Sequence, residues 1–204
     1  MSLATTVVQF EPSAFVPLAL GFFGLGTGYL IWGPQELAGY PQRSRSVDIT
    51  TGIWGIWMPG FLQFVTGILL FVGLTWFDSF TDPPLYMAAL AFTAYGVHWW
   101  ALGLGRVFSG DPRPNGFMAV PFLVLSVLGA VVFFGADDNP VGGLFCGLTA
   151  VYVCEFFASV GYDRFRPAVW QRLLGVAHIA TGLWLMYLTT AAVLNFSRGF
   201  NLPL

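Results

Sequence analysis

Residues 49–77 read ITTGIWGIWMPGFLQFVTGILLFVGLTWF, a run of 29 residues without a formal charge between Asp48 and Asp78. About 20 apolar residues in a helix are long enough to cross the hydrocarbon core of a bilayer. Lipid offers no partner for an unpaired backbone group, and the run lacks the alternation of a barrel strand. The stretch therefore predicts a membrane-spanning helix.

The same pattern repeats along the chain. Uncharged runs occupy residues 12–35, 83–105 and 114–136, the stretch 139–162 is interrupted only by Glu155, and 173–197 carries no formal charge if its histidine is neutral. We predict an all-α, polytopic membrane protein whose 204 residues form a single six-helix domain. The predicted spans are residues 14–33, 51–73, 84–104, 115–135, 140–160 and 170–194.

The composition excludes several classes of function. Of the residues, 56% are hydrophobic and 9% are charged, and the mean hydropathy is +0.73, whereas a soluble domain carries about 25% charged residues. Six spans of about 20 residues leave only short loops and tails, so we expect no soluble catalytic domain, no enzyme activity and no cofactor. A net charge of −2 provides no basic surface for nucleic acid.

Arginine placement predicts the orientation, since the chain contains no lysine. The loops after the first, third and fifth spans are rich in arginine, and the opposite side holds only Arg198. By the positive-inside rule those three loops are cytoplasmic, which places both termini outside a multi-pass protein of the cell membrane. The arginines on the cytoplasmic side are Arg43, Arg45, Arg106, Arg113, Arg164, Arg166 and Arg172.

Small residues within the spans indicate close helix packing. Gly24 and Gly28, like Gly143 and Gly147, have the GxxxG spacing, which favours contact between helices of one protomer or of neighbouring protomers. The two cysteines lie eight residues apart in one span, about 12 Å along a helix, which is too far for a disulfide. No metal site is predicted.

Three ionisable residues lie at membrane depth: His98, Glu155 and His178. A charge there is costly unless it is paired, neutralised or hydrated, so each is a candidate for a functional role. Glu155 and His178 are candidate protonatable or gating groups, and His98 is a candidate polar group of a pore. The alternatives remain open: Glu155 near the end of its span can reach toward the interface, and both histidines can be neutral packing residues.

Few other polar groups interrupt the spans. Gln63 and Thr93 either bond a neighbouring helix or line a hydrated path, and the hydroxyl of Tyr95 near mid-span needs a partner or water. Tyr95 is therefore the strongest single candidate for a pore-lining residue. Apolar walls with few polar points suit a small amphipathic solute better than a bare metal ion, whose hydration shell would need replacement by oxygen ligands.

Three segments resemble the acetate uptake transporter family. The run AFTAYGVHW at residues 91–99 is similar to that family's signature on its third span, and it is the specific part of the likeness. The segments PLALGFFG at 17–24 and MPGFLQFVTG at 58–67 are similar to the family's opening motif and its glycine–glutamine–glycine helix. The resemblance covers about residues 12–203.

The resemblance implies a homo-hexamer of six-helix protomers, each enclosing its own pore in the lipid bilayer. It also implies a Phe–Tyr–Leu constriction, which corresponds here to Phe23, Tyr95 and Leu148. The expected function is a channel or permease for acetate or similar small monocarboxylates, by diffusion or by proton-coupled movement. A carboxylate would be received by Tyr95, Thr93, Gln63 or a helix N-terminus.

Two alternatives accompany this hypothesis. The chain departs from the family motif in its opening segment, which reads Ala14-Phe-Val-Pro17 without the family's asparagine. A Phe-Thr-x-Tyr run and an Arg-Phe loop before the last span also resemble urea and short-amide channels, whose termini are outside. The other alternative is a membrane subunit that transports nothing.

Overall fold

The computed structural model describes residues 16–160 and 167–204, which form helices and connecting segments without a β-strand. The predicted all-helical fold is confirmed. The helices are α1 (Leu18–Ala38), α2 (Arg45–Gly55), a π-helical segment (Ile56–Phe61), α3 (Leu62–Thr75), α4 (Pro84–Phe108), α5 (Arg113–Gly135), α6 (Asn139–Val160) and α7 (Pro167–Arg198).

The helices run past the limits that the uncharged runs predict, and the extensions of α1 and α4 matter most for the interior. The first helix continues to Ala38 instead of ending at 33, and α4 continues to Phe108 instead of ending at 104. These extensions bring Glu36 and Arg106 into helices. A charged residue can remain on a helix at this depth when it is paired with an opposite charge, as both of these are.

Within the described residues, four helical segments are long and apolar enough to cross a membrane, at Arg45–Thr75, Arg113–Gly135, Asn139–Val160 and Ala168–Arg198. The chain is therefore a multi-pass membrane protein. Helices α1 and α4 have sufficient length, but their glycine, tyrosine and tryptophan residues lower the mean hydropathy. The count of six spans stays a prediction.

The helices form a closed ring around the interior of the protomer. Helix α1 packs extensively on α7 and α5 on α6, while α6 also packs on α7. The continuous helix made of α2, the π-helical segment and α3 packs on α4 and α1, and a smaller contact between α4 and α5 completes the ring. The order around the ring is therefore α1, α7, α6, α5, α4 and the α2–α3 helix.

Glycines allow the backbones of neighbouring helices to touch. A Cβ on Gly52 would lie 2.6 Å from the carbonyl oxygen of Gly103, and a Cβ on Gly96 would lie 2.6 Å from the backbone nitrogen of Phe64. A Cβ on Gly24, which belongs to a predicted GxxxG pair, would likewise lie 2.6 Å from the carbonyl oxygen of Met58. These small residues therefore serve packing within the protomer.

The π-helical segment is built around Pro59. Proline has no N–H and clashes with the carbonyl one turn earlier, so the helix widens there. The indole of Trp100 on α4 donates to the carbonyl oxygen of Ile56 at 3.1 Å and thereby satisfies part of the disturbed backbone. This bond also ties the α2–α3 helix to α4.

The described arginines of the predicted cytoplasmic side lie together at one end of the ring. Arg45 donates to the carbonyl oxygen of Val107 at 2.5 Å, which joins the first turn of α2 to the end of α4. Arg43 pairs with Asp48 there at 3.0 Å. Arg164 and Arg166 lie outside the described residues. We refer to this end of the ring as the arginine end.

Replacing Gly96 by alanine is expected to destabilise the helix ring by about 1–3 kcal/mol, because the new methyl group would meet backbone that cannot move independently. Gly105→Ala is the matched control, since a Cβ at this position of the same helix meets nothing within 4 Å. Thermal unfolding in detergent measures both. Equal unfolding temperatures for the two variants would contradict the close packing at Gly96.

Candidate functional site

Two of the cavities that the described residues line lie inside the helix ring. The larger, which we call the vestibule, has a volume of about 320 Å³, and the smaller, which we call the apolar chamber, has a volume of about 30 Å³. The vestibule lies toward the arginine end, because Arg43 and Asp111 are among its lining residues. Among the described residues, no polar atom faces the apolar chamber.

The two cavities follow one another along the same three helices. Helix α1 lines the chamber with Phe22 and Leu25 and then the vestibule with Tyr29, Trp32 and Glu36. These residues lie three or four positions apart, so they form one face of the helix. Helices α4 and α6 repeat the pattern. Their chamber residues include Ala88, Phe92, Tyr95, Val141, Leu144 and Leu148, and their vestibule residues include His98, Leu102, Arg106, Tyr152, Glu155 and Ser159.

A buried ionic cluster lies on the wall of the vestibule. The carboxylate of Glu36 on α1 contacts Nδ1 of His178 on α7 at 2.5 Å and Nη2 of Arg106 on α4 at 3.8 Å. The side chains of Glu36 and His178 are 7% and 6% exposed, so water screens their interaction poorly. A single carboxylate thereby connects three helices of the ring.

Neutral groups surround the guanidinium of Arg106. Its Nη1 donates to Oε1 of Gln35 at 2.6 Å and to Oγ1 of Thr51 at 3.1 Å. Its central carbon lies 3.4 Å from the centroid of the Trp32 ring, a cation–π contact. The buried charge is thus compensated by a carboxylate, two polar side chains and an aromatic face.

Glu155 on α6 also lines the vestibule. Its Oε1 accepts a hydrogen bond from the hydroxyl of Ser159 at 2.8 Å. Glu155 therefore lies in the interior of the ring, and its protonatable or gating role stays a prediction.

At the mouth of the vestibule, hydrogen bonds from Arg113 lower the pKa of Asp111 to about 2, so this carboxylate is ionised at neutral pH. The described residues that line the vestibule include four carboxylates but only two guanidinium groups. The carboxylates belong to Glu36, Asp48, Asp111 and Glu155, and the guanidinium groups to Arg43 and Arg106.

The hydroxyl of Tyr95 is held away from the chamber. It lies 2.9 Å from Oγ of Ser126 on α5, and Ser126 itself donates to the carbonyl oxygen of Phe122 at 2.8 Å. Because serine has one hydroxyl proton, Tyr95 must be the donor of the first bond. Tyr95 therefore presents its ring to the chamber, and its proton already has an acceptor.

The structure does not bring Phe23 together with Tyr95 and Leu148. Phe23 is 43% exposed on the outer surface of α1, whereas its neighbour Phe22 is 2% exposed and lines the apolar chamber with Tyr95 and Leu148. Adjacent positions on a helix point about 100° apart, so only one of the two phenylalanines can face the interior. The residue register that the resemblance implied is wrong by one at this position.

Two of the other candidate pore residues lie away from both cavities. Thr93 donates to the carbonyl oxygen of Ala89 at 2.8 Å and packs against Gly67 at the α3–α4 contact. Gln63 is fully buried, and its amide has no hydrogen-bond partner among the described residues, but it lines neither cavity. His98, Glu155 and His178, in contrast, all line the vestibule.

Several residues of the site were not identified from the sequence: Phe22, Tyr29, Glu36, Arg106, Ser126 and Tyr152. Ser126 had a visible signal, since it interrupts an otherwise apolar span. Glu36 and Arg106 have a misleading signal, because each adjoins an uncharged run, a position that indicates a span boundary or a loop. Within the described residues, no group of three or more His, Cys, Asp and Glu side chains is arranged to hold a metal ion.

Glu36→Gln is expected to destabilise the protein by about 3–5 kcal/mol, because it leaves Arg106 and His178 buried without their carboxylate. Arg43→Gln breaks the exposed ion pair with Asp48 at the same end of the ring and is expected to cost less than about 1 kcal/mol. Thermal unfolding in detergent compares the two. A Glu36→Gln protein as stable as Arg43→Gln would show that the cluster does not hold the helices together.

Comparison with known proteins identifies the fold. No protein-family model and no curated protein matches the chain. Among solved structures, the chain is similar to the bacterial acetate channel SatP, with a TM-score of 0.72 and 19% sequence identity over 96% of this chain and 99% of that chain. The protein therefore has the fold of that channel over nearly its whole length.

Proposed function

We propose that the protein is a membrane channel or permease that passes acetate or similar small monocarboxylates through each protomer. The observation that carries this proposal is the series of two cavities inside the helix ring, a polar vestibule followed by a chamber lined by Phe22, Tyr95 and Leu148. The fold of the bacterial acetate channel SatP supports it, as do the sequence motifs of the acetate uptake family.

The narrow chamber explains how such a solute is selected. Because the described residues that line the chamber present no polar atom to it, a solute must shed its water to pass between Phe22 and Leu148. The methyl end of acetate loses little free energy when its water is removed. A metal ion, in contrast, would lose its whole hydration shell, and no oxygen ligand would replace it. We infer that the vestibule contacts the carboxyl end while the methyl end enters the chamber.

The hydroxyl of Tyr95 is already hydrogen-bonded, and this limits how the constriction can stabilise a charged solute. Its proton is donated to Ser126, so it cannot also stabilise a passing carboxylate unless that bond breaks. Movement by diffusion and movement with a proton both fit the proposed channel, and they differ in whether the solute carries charge past Tyr95.

A second function, passage of urea or short amides, is favoured by one observation. Carboxylates outnumber guanidinium groups among the described lining residues of the vestibule. An acidic lining repels an anion and attracts hydrogen-bond donors such as amide N–H groups. This candidate shares the pathway and differs only in the solute.

The assembly and orientation follow from the sequence predictions. We propose a homo-hexamer in the cell membrane, with one pore per protomer and the arginine end in the cytoplasm. The outward face of α5 is apolar, with Phe117, Val124 and Val131 each more than 60% exposed. Lipid or a neighbouring protomer would cover these side chains.

Liposomes containing the protein are expected to take up labelled acetate faster than empty liposomes, which also correct for diffusion of acetic acid through lipid. Labelled urea is the comparison solute. Urea uptake without acetate uptake would replace the first function by the second, and uptake of neither would favour an inert membrane subunit.

Phe22→Leu is expected to widen the constriction and to raise the ratio of propionate to acetate uptake by up to about tenfold, since one methylene group in a tight pocket is worth about 1–3 kcal/mol. Phe23→Leu is the matched control, because the adjacent ring lies on the outer surface. Uptake is measured in liposomes at equal amounts of folded protein. If the ratio of propionate to acetate uptake changed only in Phe23→Leu, then Phe23 and not Phe22 would lie in the pathway.

A further inference from the structure

One carboxyl group on the wall of the vestibule differs from the others in its partners. Three of the four described carboxylates that line this cavity form an ion pair with an arginine, in the pairs Glu36–Arg106, Asp48–Arg43 and Asp111–Arg113. Within residues 16–160 and 167–204, Glu155 forms no ion pair, and its Oε1 accepts a hydrogen bond from Ser159 at 2.8 Å. A negative charge on Glu155 is therefore compensated only by a neutral hydroxyl.

Glu155 lies on the route between the mouth of the vestibule and the constriction. On α6, Leu148 lines the chamber, and Tyr152, Glu155 and Ser159 line the vestibule at successive intervals of three or four residues. These positions share one face of the helix. A solute that moves between the arginine end and the constriction must therefore pass the carboxyl group of Glu155.

Titratable and charged groups of the neighbouring elements face the same cavity. They are Tyr29 and Glu36 of α1, His98 and Arg106 of α4, His178 of α7, Asp48 of α2, and Arg43 and Asp111 in the segments before α2 and α5. Arg113 of α5 bonds Asp111 at the mouth. Because Arg106 and His178 both contact Glu36, neither pairs with Glu155.

We propose that Glu155 is a specificity-determining residue that sets whether the vestibule admits a carboxylate ion. In its ionised form Glu155 repels the ion, and in its protonated form it lets the ion reach the constriction. A neutral solute of the same shape passes in both forms. The proposal rests on the proposed function, and it explains how one pathway distinguishes monocarboxylates from short amides.

The physical basis is the charge of a narrow cavity with low-dielectric walls. Such walls concentrate the field of the charges that line a cavity, and a single sign of charge changes the local concentration of an ion by about tenfold or more. The described carboxylates already outnumber the guanidinium groups of the vestibule, and Glu155 is the member of the excess that lacks a counter-charge. One proton on this side chain therefore removes the least compensated negative charge.

Ser159 acts as a positioning residue for Glu155. Its hydroxyl lies one turn further along α6 and donates to the carboxylate, which holds the side chain against the helix face that lines the vestibule. A hydrogen bond donated to a carboxylate also favours the ionised form over the protonated one. Ser159 thereby helps to maintain the charge that repels an anion.

The ratio of acetate to acetamide uptake tests the proposal, because acetamide has nearly the shape of acetate and no charge. Uptake of both labelled solutes is measured in liposomes between about pH 5 and about pH 9, a range in which a carboxyl group inside a protein can titrate. Empty liposomes correct for diffusion through lipid. Comparison of proteins at equal pH cancels the ionisation of acetate itself.

Glu155→Gln keeps the size of the side chain and an oxygen that accepts from Ser159. It is expected to raise the ratio of acetate to acetamide uptake about tenfold at the alkaline end of the range and to leave the ratio unchanged at the acidic end. Glu155→Asp is the matched control, since it alters the packing but keeps the charge, and it is expected to retain a ratio that falls as the pH rises. The same ratio in Glu155→Gln and the unchanged protein at every pH would overturn the proposal.

Ser159→Ala provides a test that does not depend on the folding of Glu155→Gln. Without the donated hydrogen bond, Glu155 keeps its proton to higher pH, so the fall in the ratio is expected at higher pH than in the unchanged protein. Acetamide uptake and the unfolding temperature show that the variant is folded and open. A fall at the same pH in both proteins would contradict the assignment of Glu155 as the titrating group.

The unchanged protein separates this proposal from the proposed function. If it transports acetate and acetamide and the variants do not change their ratio, the role of Glu155 is wrong and the channel stands. If it transports neither solute, the proposed function itself fails.

Discussion

The carboxylate of Glu36 is the contact on which the vestibule depends. It joins α1 to α7 through His178 and to α4 through Arg106, so one side chain ties together three of the helices around the cavity. In a bilayer such a charge persists only when it is paired, and an unpaired guanidinium or carboxylate at this depth would draw in water and separate the helices. The polar end of the cavity can therefore be both hydrated and structurally fixed.

Beyond this cluster, the interior changes from polar to apolar within a single turn of each lining helix. Tyr29, His98 and Tyr152 stand on the polar side, and Leu25, Tyr95 and Leu148 on the apolar side. Glycines hold α4 and the α2–α3 helix at backbone contact distance, which fixes the axial register of these two helices. An amphipathic solute meets matching surfaces at the boundary, whereas a uniformly hydrated ion loses water without compensation.

The sequence was sufficient for the helical class and for the approximate positions of the helices, because uncharged runs are a direct consequence of the cost of charge in lipid. It was insufficient for the inward faces. Phe22 and Phe23 are chemically identical neighbours, and only the packing of α1 against α7 and the α2–α3 helix decides which one faces the chamber. Thr93 illustrates the same problem, since a hydroxyl at mid-span bonds its own helix as readily as it lines a pore. The ion pair of Glu36 and Arg106 could not be predicted, because the two residues lie 70 positions apart in the chain.

The central claim is that the solute passes through the apolar chamber between Phe22, Tyr95 and Leu148. Its most direct test is block of acetate uptake by mercury(II) in liposomes that contain Leu148→Cys, in a background where Cys146 and Cys154 are replaced by serine. The account predicts that mercury(II) stops uptake in this variant and leaves uptake unchanged in Phe23→Cys of the same background. Full uptake by mercury-treated Leu148→Cys protein would contradict it.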